Sequence, residues 1–495
     1  MLLVNFRKKR SIIKHGFCRR QKHEMRERGH AFDMEEKIEK EDKRIYTLAR
    51  EKPTLAVLKM GVPVAVGMLF MVAYNLVDTY FIGMLNDDYQ LAAANLAYPV
   101  LMVMIAVAGI VGNGGASYIA RCMGAGSMER AEKTLMHGFE MILFFGVLLA
   151  LAGSIWLHPI VTLLGARDTT YAYTCQYTYV LFLGAFFAMG NYAFGQLLRS
   201  EGSALYSMVG MIAGTVANIL LDPIFIFGLH LEIRGAAIAT VLGNVLSVVY
   251  FLWVYVTGRS VLKLHASDIG CDGSIIKEIM LVGVPHTLEQ FLSTAAILVL
   301  NNLAAAYGGL TVAAMGVSSK IMSFGNYIYQ GLTAGCQPLI GYNYGAGNLP
   351  RLEKIIKAGV SIVTGIELCI MALFALLAPQ MIGLFSETEE VISIGTMTLR
   401  ASILILPFVG TTAMVRNVYN AMGKPLYAFS ITIVRQLVLY IPFLIVFDRV
   451  WGYVGLIHAQ PAEELVCALF ALVLLRRTLK KLQKIIQNES VQSMH

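Results

Sequence analysis

Charge is scarce in this chain. Of its 495 residues 15% are charged and 57% are hydrophobic, where an ordinary soluble protein carries roughly 25% charged residues. Mean hydropathy is +0.63. That balance excludes a soluble globular domain. The apolar residues fall in runs of about 20, the length that crosses a bilayer core as helix. Seven cysteines (Cys18, Cys122, Cys175, Cys271, Cys336, Cys369, Cys467) show no paired spacing, which excludes a disulfide framework and a zinc site. Gly341, Gly345 and Gly347 mimic a phosphate loop, but the Gly-Lys-Ser/Thr ending and a preceding strand are missing, so ATP binding is unsupported. H-E-x-x-H and G-x-S-x-G do not occur, and no catalytic constellation replaces them. The chain reads as a non-enzyme without a cofactor.

The basic residues do not form a nucleic-acid surface. The formal net charge is +8, yet Lys and Arg gather at the ends and in short loops, as cytoplasmic anchors do. Residues 1–50 are polar and lack the apolar segment and cleavage site of a signal peptide. Arg7-Lys8-Lys9-Arg10 reads as part of a basic tail. Met34-Glu35-Glu36-Lys37 resembles an ordinary start, so residues 1–33 are expected to be an untranslated extension. A native peptide from residues 1–20 in mass spectrometry would overturn that expectation.

The pattern predicts an all-α polytopic membrane protein with twelve transmembrane helices. They lie near 60–84, 91–119, 134–157, 170–198, 204–229, 235–257, 278–306, 311–340, 355–378, 391–416, 425–447 and 453–475. The loops on one side hold Arg121, Arg130, Lys133, Arg199, Arg259, Lys263, Lys277, Arg351, Lys354, Lys357, Arg416 and Lys424; those on the other hold only Arg167, Arg234 and Arg449. This asymmetry puts both termini in the cytoplasm of a multi-pass cell-membrane protein.

The chain also repeats itself. Gly61-Val62-Pro63 returns as Gly283-Val284-Pro285. Gly124-Ala125-Gly126 with Arg130 returns as Gly345-Ala346-Gly347 with Arg351, and Gly202 with Leu205-Tyr206 as Gly423 with Leu426-Tyr427. The offset is 221 or 222 throughout. Halves of six spans insert with the same orientation, related by a pseudo-two-fold axis along the membrane normal. The expected divisions are a tail 1–50, a first lobe 51–257, a linker 258–276, a second lobe 277–475 and a tail 476–495.

One stripe carries the chemistry. Gly210, Gly214, Asn218 and Asp222 recur every fourth residue and share a helix face. The glycine pair admits a close neighbouring helix. Pro223 cannot donate to the Ile219 carbonyl. A carboxylate, an amide and a freed carbonyl on one buried face read as an ion or proton site. Asp78, Asp222 and Thr240 lie six to eight residues inside their helix ends, about 9–12 Å deep at the helical rise. Tyr177 falls at a similar level. Such oxygens suit a hard cation, and two close carboxylates in low dielectric share a proton. The second half has no carboxylate at the matching position, only Ile441-Pro442-Phe443, and Thr396, Met397 and Arg400 stand on its tenth span. Glu289 lies near mid-membrane and either meets a cationic substrate or pairs with Lys320 or Arg435. Gln196, Gln337 and Asn113, deep in their spans, either line a central cavity or bond between helices; Asn75 and Asn191 are placed with the cavity group. Glu140 and Glu367 read as structural. Met189, Tyr192, Tyr327 and Tyr329 supply soft and aromatic surface.

These residues carry a family likeness. Gly335-Cys336-Gln337-Pro338-Leu339-Ile340-Gly341-Tyr342-Asn343-Tyr344-Gly345-Ala346-Gly347 resembles the signature after the eighth helix of MATE (multidrug and toxic compound extrusion) transporters. Asn75 to Gly83 resembles their first helix, Leu221 to Phe227 their fifth and Ala459-Gln460-Pro461 their twelfth. The likeness spans about residues 50–480. It implies cation-coupled export of organic, often cationic and amphipathic, compounds by alternating access, with the coupling site at Asp78, Asn218, Asp222 and Thr240. The expectation is a monomeric antiporter in the lipid bilayer, exchanging substrate for H+ or Na+, with Na+ placed at Asp78, Asn218 and Asp222. Pro223, Pro63 and Pro285 would bend helices that rearrange. A flippase for lipid-linked precursors, in the same superfamily, is the alternative.

Overall fold

The computed structural model describes residues 43–85, 87–270, 272–385 and 388–492. The Arg7–Arg10 cluster and the start at Met34 lie outside them. Among the described residues there are helices and turns and no strand. In chain order the helices are α1 (43–49), α2 (Pro53–Gly83), α3 (Asp88–Gly124), α4 (Met128–Ile155), α5 (Leu157–Leu163), α6 (Asp168–Leu183), α7 (Ala185–Ser200), α8 (Ala204–Pro223), α9 (Glu232–Val256), α10 (Gly273–Ala305), α11 (Gly309–Gly345), α12 (Leu349–Gly383), α13 (Glu389–Ser402), α14 (Leu406–Ala421), α15 (Pro425–Ile433) and α16 (Ile441–Gln492).

Local chemistry sets several boundaries. Pro53 opens α2, where its missing N–H costs nothing. Asp87, Asp272 and Asn348 cap α3, α10 and α12 through side-chain oxygens. The single fourth span expected at 170–198 is broken instead. α6 and α7 meet at a 53° bend at Gly184, where a Cβ would stand 2.3 Å from Val241. The tenth span runs through a short 3-10 turn, Ile403–Ile405, at Pro407. In α16 Gly452 takes φ 59° and separates two helical runs; the second continues past residue 475.

Nine described helices are long and apolar enough to cross a membrane, or ten with the bent pair, against the twelve expected. Two differences account for this. The stretch Pro425–Lys484 holds the last two expected spans either side of Gly452. α11 is not among the nine, because Ser318, Ser319, Lys320, Ser323 and Asn326 dilute its apolar residues.

The glycine stripe works as a packing surface. α8 lies on α9, with Phe251 against Gly210 and a Cβ at Gly214 only 2.6 Å from the Gly243 carbonyl oxygen. Ser247 donates to the Gly210 carbonyl at 2.9 Å. Beyond Pro223 the helix widens into a π turn, Ile224–Gly228, closed by Leu229 N–H donating to Ile224. The proline's unusable carbonyl partner thus coincides with a change of helical register. α2 and α10 remain α-helical through Pro63 and Pro285.

Two loop cations belong inside the bundle. Arg199 is 4% exposed and donates to Ser207 Oγ at 2.7 Å. Arg416 lies within α14 and reaches Glu289 at 3.2 Å. Glu140, by contrast, is a fastening residue: it accepts from the Gly270 backbone at 3.1 Å. Glu201, fully buried, holds the segment after α9 more firmly. It accepts from Ser203 Oγ at 2.6 Å, Ser260 Oγ at 2.5 Å, Val261 N–H at 3.1 Å and Leu262 N–H at 3.0 Å. Replacing it with alanine strands four donors. Glu201→Ala should cost about 3 kcal/mol, read as a lower thermal midpoint of the purified protein, with Glu201→Gln losing less.

The two halves close on one another at the face that carries the basic loops. A Cβ at Gly114 would lie 2.1 Å from the Ile279 carbonyl oxygen, and one at Gly283 2.1 Å from that of Ile110. Nearer the surface the same holds for Gly124 against Tyr342, at 1.9 Å, and Gly345 against Arg121, at 2.1 Å. Gly114 is ten residues inside the end of α3, so the seam is about 15 Å deep. Ser117 Oγ donates across it to the Asn420 carbonyl at 2.6 Å, and Arg121 pairs with Glu278 at 3.1 Å. α1 lies over it: Arg44 faces Glu201 at 3.9 Å, while Asn343 and Arg351 donate to the carbonyls of Leu48 and Glu51.

Candidate functional site

The first half gathers its polar residues where α2, α6, α8 and α9 converge. Asp222 is fully buried, Asn218 and Thr240 nearly so. Asn218 Nδ2 reaches Thr240 Oγ1 at 3.4 Å and Asp222 Oδ1 at 3.5 Å. With its amide turned over, Asn218 donates to Asp222 Oδ2 at 3.2 Å and accepts from the Thr240 backbone N–H at 3.0 Å. The second orientation satisfies both ends of the amide and is the better one. Tyr74, one helical turn before Asp78, places its hydroxyl 3.5 Å from Thr240 Oγ1. Asp78, Asp222, Tyr74 and Tyr177 lie within electrostatic reach of one another. Asp78 Oδ1 is buried without a hydrogen-bond partner. The layer therefore holds two carboxylates, with an amide and hydroxyls from four helices and no cation among these residues.

The structure brings together Asp78, Tyr177, Asn218, Asp222 and Thr240, all five expected there. It adds Tyr74 and Asn244. Asn244 donates to the Thr240 carbonyl at 3.0 Å and accepts from Asn191 at 2.8 Å. Asn191 is thus an interhelical partner through its Nδ2, its Oδ1 is buried without a hydrogen-bond partner, and it is not in the lining of the central cavity. The Asn75 side chain lies outside what the structure describes. Tyr74 was legible in principle, four residues before Asp78 on its face.

A separate cavity of about 810 Å3 lies between the halves, walled mainly by the second. Gln196, Gln337, Glu289, Asn113, Tyr192 and Tyr329 all line it. Asn113 reaches the Tyr192 hydroxyl at 3.4 Å, and Gln337 the Asn113 carbonyl at 3.4 Å, so these amides line the cavity and bond between helices at once. Asp78 and Asp222 are not in its lining, and Met189 is fully buried elsewhere. The cavity extends from Asn420, beside the seam, to Ala304 and Val312 near the opposite helix ends. Glu289 pairs with Arg416, with His286 Nδ1 at 3.8 Å; neither Lys320 nor Arg435 fills that role. Arg435 instead holds Glu464 at 2.7 Å and Glu463 at 3.8 Å. Glu367 is buried beside Gly410, both oxygens without a hydrogen-bond partner.

A family model described as MatE matches residues 63–224 and 285–446. This chain belongs to the MATE family. The two matches fall on the two halves of the internal repeat. A multidrug export protein MepA from Staphylococcus saprophyticus is 30% identical over 434 residues, covering 88% of this chain and 96% of that protein. One from Staphylococcus aureus strain MRSA252 is 29% identical with the same coverage. Among solved structures, a MATE in complex with MaL6 superposes with a TM-score of 0.85 at 28% identity, covering 89% of this chain and 99% of that one. An outward-facing multidrug resistance MATE transporter of the MOP superfamily gives 0.84 at 28% identity, covering 89% and 98%. A MOP superfamily transporter from Pyrococcus furiosus, whose reversed pocket polarity is taken to suggest a different function, gives 0.85 at 28% identity, covering 89% and 99%. As a MATE protein the chain is a multi-pass membrane transporter of two-lobed, all-helical architecture.

Proposed function

We propose that this MATE protein is a secondary multidrug antiporter, exporting organic, often cationic and amphipathic compounds in exchange for H+ or Na+. The observation that carries the reading is the buried layer of Asp78, Asn218, Asp222 and Thr240. Two carboxylates in one dry layer, with no basic side chain among them, call for a cation. Oxygens from Asp78, Asn218 and Asp222 suit Na+; a proton shared by the carboxylates serves equally. With the basic face cytoplasmic, both termini lie inside and the seam seals the cytoplasmic side. Uptake of the coupling cation from outside belongs to that state. Substrate enters when the seam parts. The lobes, 51–257 and 277–475 joined by the linker 258–276, rock about the cavity as a monomer. Pro223, where the π turn begins, is the leading candidate for the bend that links cation binding to that movement; Pro63 and Pro285 flank the seam.

The flippase reading needs free cationic groups for a pyrophosphate. Arg416 and Arg435 line the cavity, but each already holds a carboxylate, which weighs against it.

The test is ethidium export from vesicles under imposed gradients. Either a proton or a sodium gradient should drive export above the level of vesicles lacking the protein. Export driven by ATP with both gradients collapsed would contradict the reading.

A further inference from the structure

The cavity's charges do not balance, and the surplus has an address. Two guanidiniums line it, Arg416 and Arg435, and three carboxylates stand against them, Glu289, Glu463 and Glu464. Glu289 is matched by Arg416 at 3.2 Å. Glu464, fully buried behind the wall, is matched by Arg435 at 2.7 Å. Glu463 is left with a longer contact to the same nitrogen, Arg435 Nε, at 3.8 Å, beyond hydrogen-bonding distance. It is 1% exposed and lines the cavity; all three carboxylates have an Oε1 without a hydrogen-bond partner, but Glu289 and Glu464 each bond a guanidinium through Oε2. Lys320 and Arg400 lie outside the lining. His286 stands beside Glu289, on the pair that is already matched, at 3.8 Å.

We propose that Glu463 is the cavity's cation anchor, the carboxylate to which the positively charged group of an exported compound binds. The proposal rests on the export reading and deepens it. A buried, incompletely paired carboxylate attracts a cation strongly, since little water competes for it. Glu289 and Glu464 have their counter-charges in place and offer a ligand much less. Arg435 Nε is committed to Glu464 at 2.7 Å, which leaves Glu463, a residue of the cavity wall, only the longer contact. Around this anchor the wall supplies Gln436, Gln460 and Asn417 amides and the Tyr329 and Tyr440 rings. Rings of that kind suit an organic cation better than a bare metal ion. The site is distinct from the layer at Asp78 and Asp222, so coupling cation and substrate occupy different lobes.

The experiment measures ligand binding to the full-length purified protein by fluorescence anisotropy, with ethidium as the cationic probe and Nile red as an uncharged one. Glu463→Gln should weaken ethidium by roughly tenfold or more and leave Nile red unchanged. Glu463→Asp, which keeps the charge, should bind ethidium much more tightly than Glu463→Gln. On the parent protein, ethidium should protect Glu463 from dicyclohexylcarbodiimide, read by mass spectrometry; this arm needs no variant to fold. Equal ethidium affinity in parent and Glu463→Gln, equal loss of both dyes, or carbodiimide labelling indifferent to ethidium overturns the anchor while leaving the export reading standing. A parent that binds no ethidium, and exports none, overturns both.

Discussion

Asp222→Asn should abolish gradient-driven ethidium export, down to the level of vesicles without the transporter, while the protein still inserts and folds. The substitution keeps the size of the side chain and one acceptor oxygen near Asn218. What it removes is the charge, and with it the reason for the layer to take up a cation. Asp222 is fully buried, so no water replaces the lost partner. Asp78→Asn should behave alike, because the two carboxylates share one dry layer. The double variant should lose no more than either single one, since groups that act as a unit are not additive. A Thr240→Ala variant should be milder, leaving both carboxylates and the Asn218 bridge in place. Export by Asp222→Asn at the parental rate would place the coupling elsewhere.

The second large effect concerns the seam. Gly283→Leu or Gly114→Leu should force the basic face open. A Cβ at either position would stand 2.1 Å from a carbonyl oxygen of the opposing half, and the obstacle is backbone, which cannot swing aside. The halves must separate by more than an ångström. Overpacking of this kind costs about 1–3 kcal/mol, enough to shift the ratio of closed to open states by roughly ten- to a hundredfold. Export should fall, since alternating access needs both states. The readout is a cysteine at Ser117, buried in the seam and bonded to the Asn420 carbonyl, in a background without other cysteines. A membrane-impermeant maleimide supplied at the basic face should label it far faster in the leucine variants. Gly309→Leu, where a Cβ meets nothing within 4 Å, is the control. Unchanged labelling would mean that the seam is not the barrier.

The sequence made the first-half site readable because its residues obey a regular helix. Asn218 and Asp222 are one turn apart, and depth counting from the helix ends brought Asp78, Thr240 and Tyr177 to one level. Tyr74 and Asn244 went unnoticed for want of charge, although both sit one turn from residues already singled out. The second half resisted for two physical reasons. A π segment, Val434–Tyr440, breaks the 3.6 period along the stretch that carries Arg435 and Gln436, so helical counting does not lead to the contact with Glu463 and Glu464. Arg416 looked like a loop anchor, being eight residues before Lys424, yet α14 runs on to Ala421 and carries it inside. The partner of Glu289 lies 127 residues away, a distance no local pattern spans. The broken fourth span was likewise invisible, since Gly184 matters only because Val241 presses on it.

The central claim is that substrate and cation exclude each other through one conformational change. Ethidium added to the purified, unenergised protein should release protons into a weakly buffered solution, or sodium from a sodium-loaded sample, and Asp222→Asn should bind ethidium without releasing either. Saturating ethidium binding with no release of either ion, or identical release from Asp222→Asn, would contradict the account.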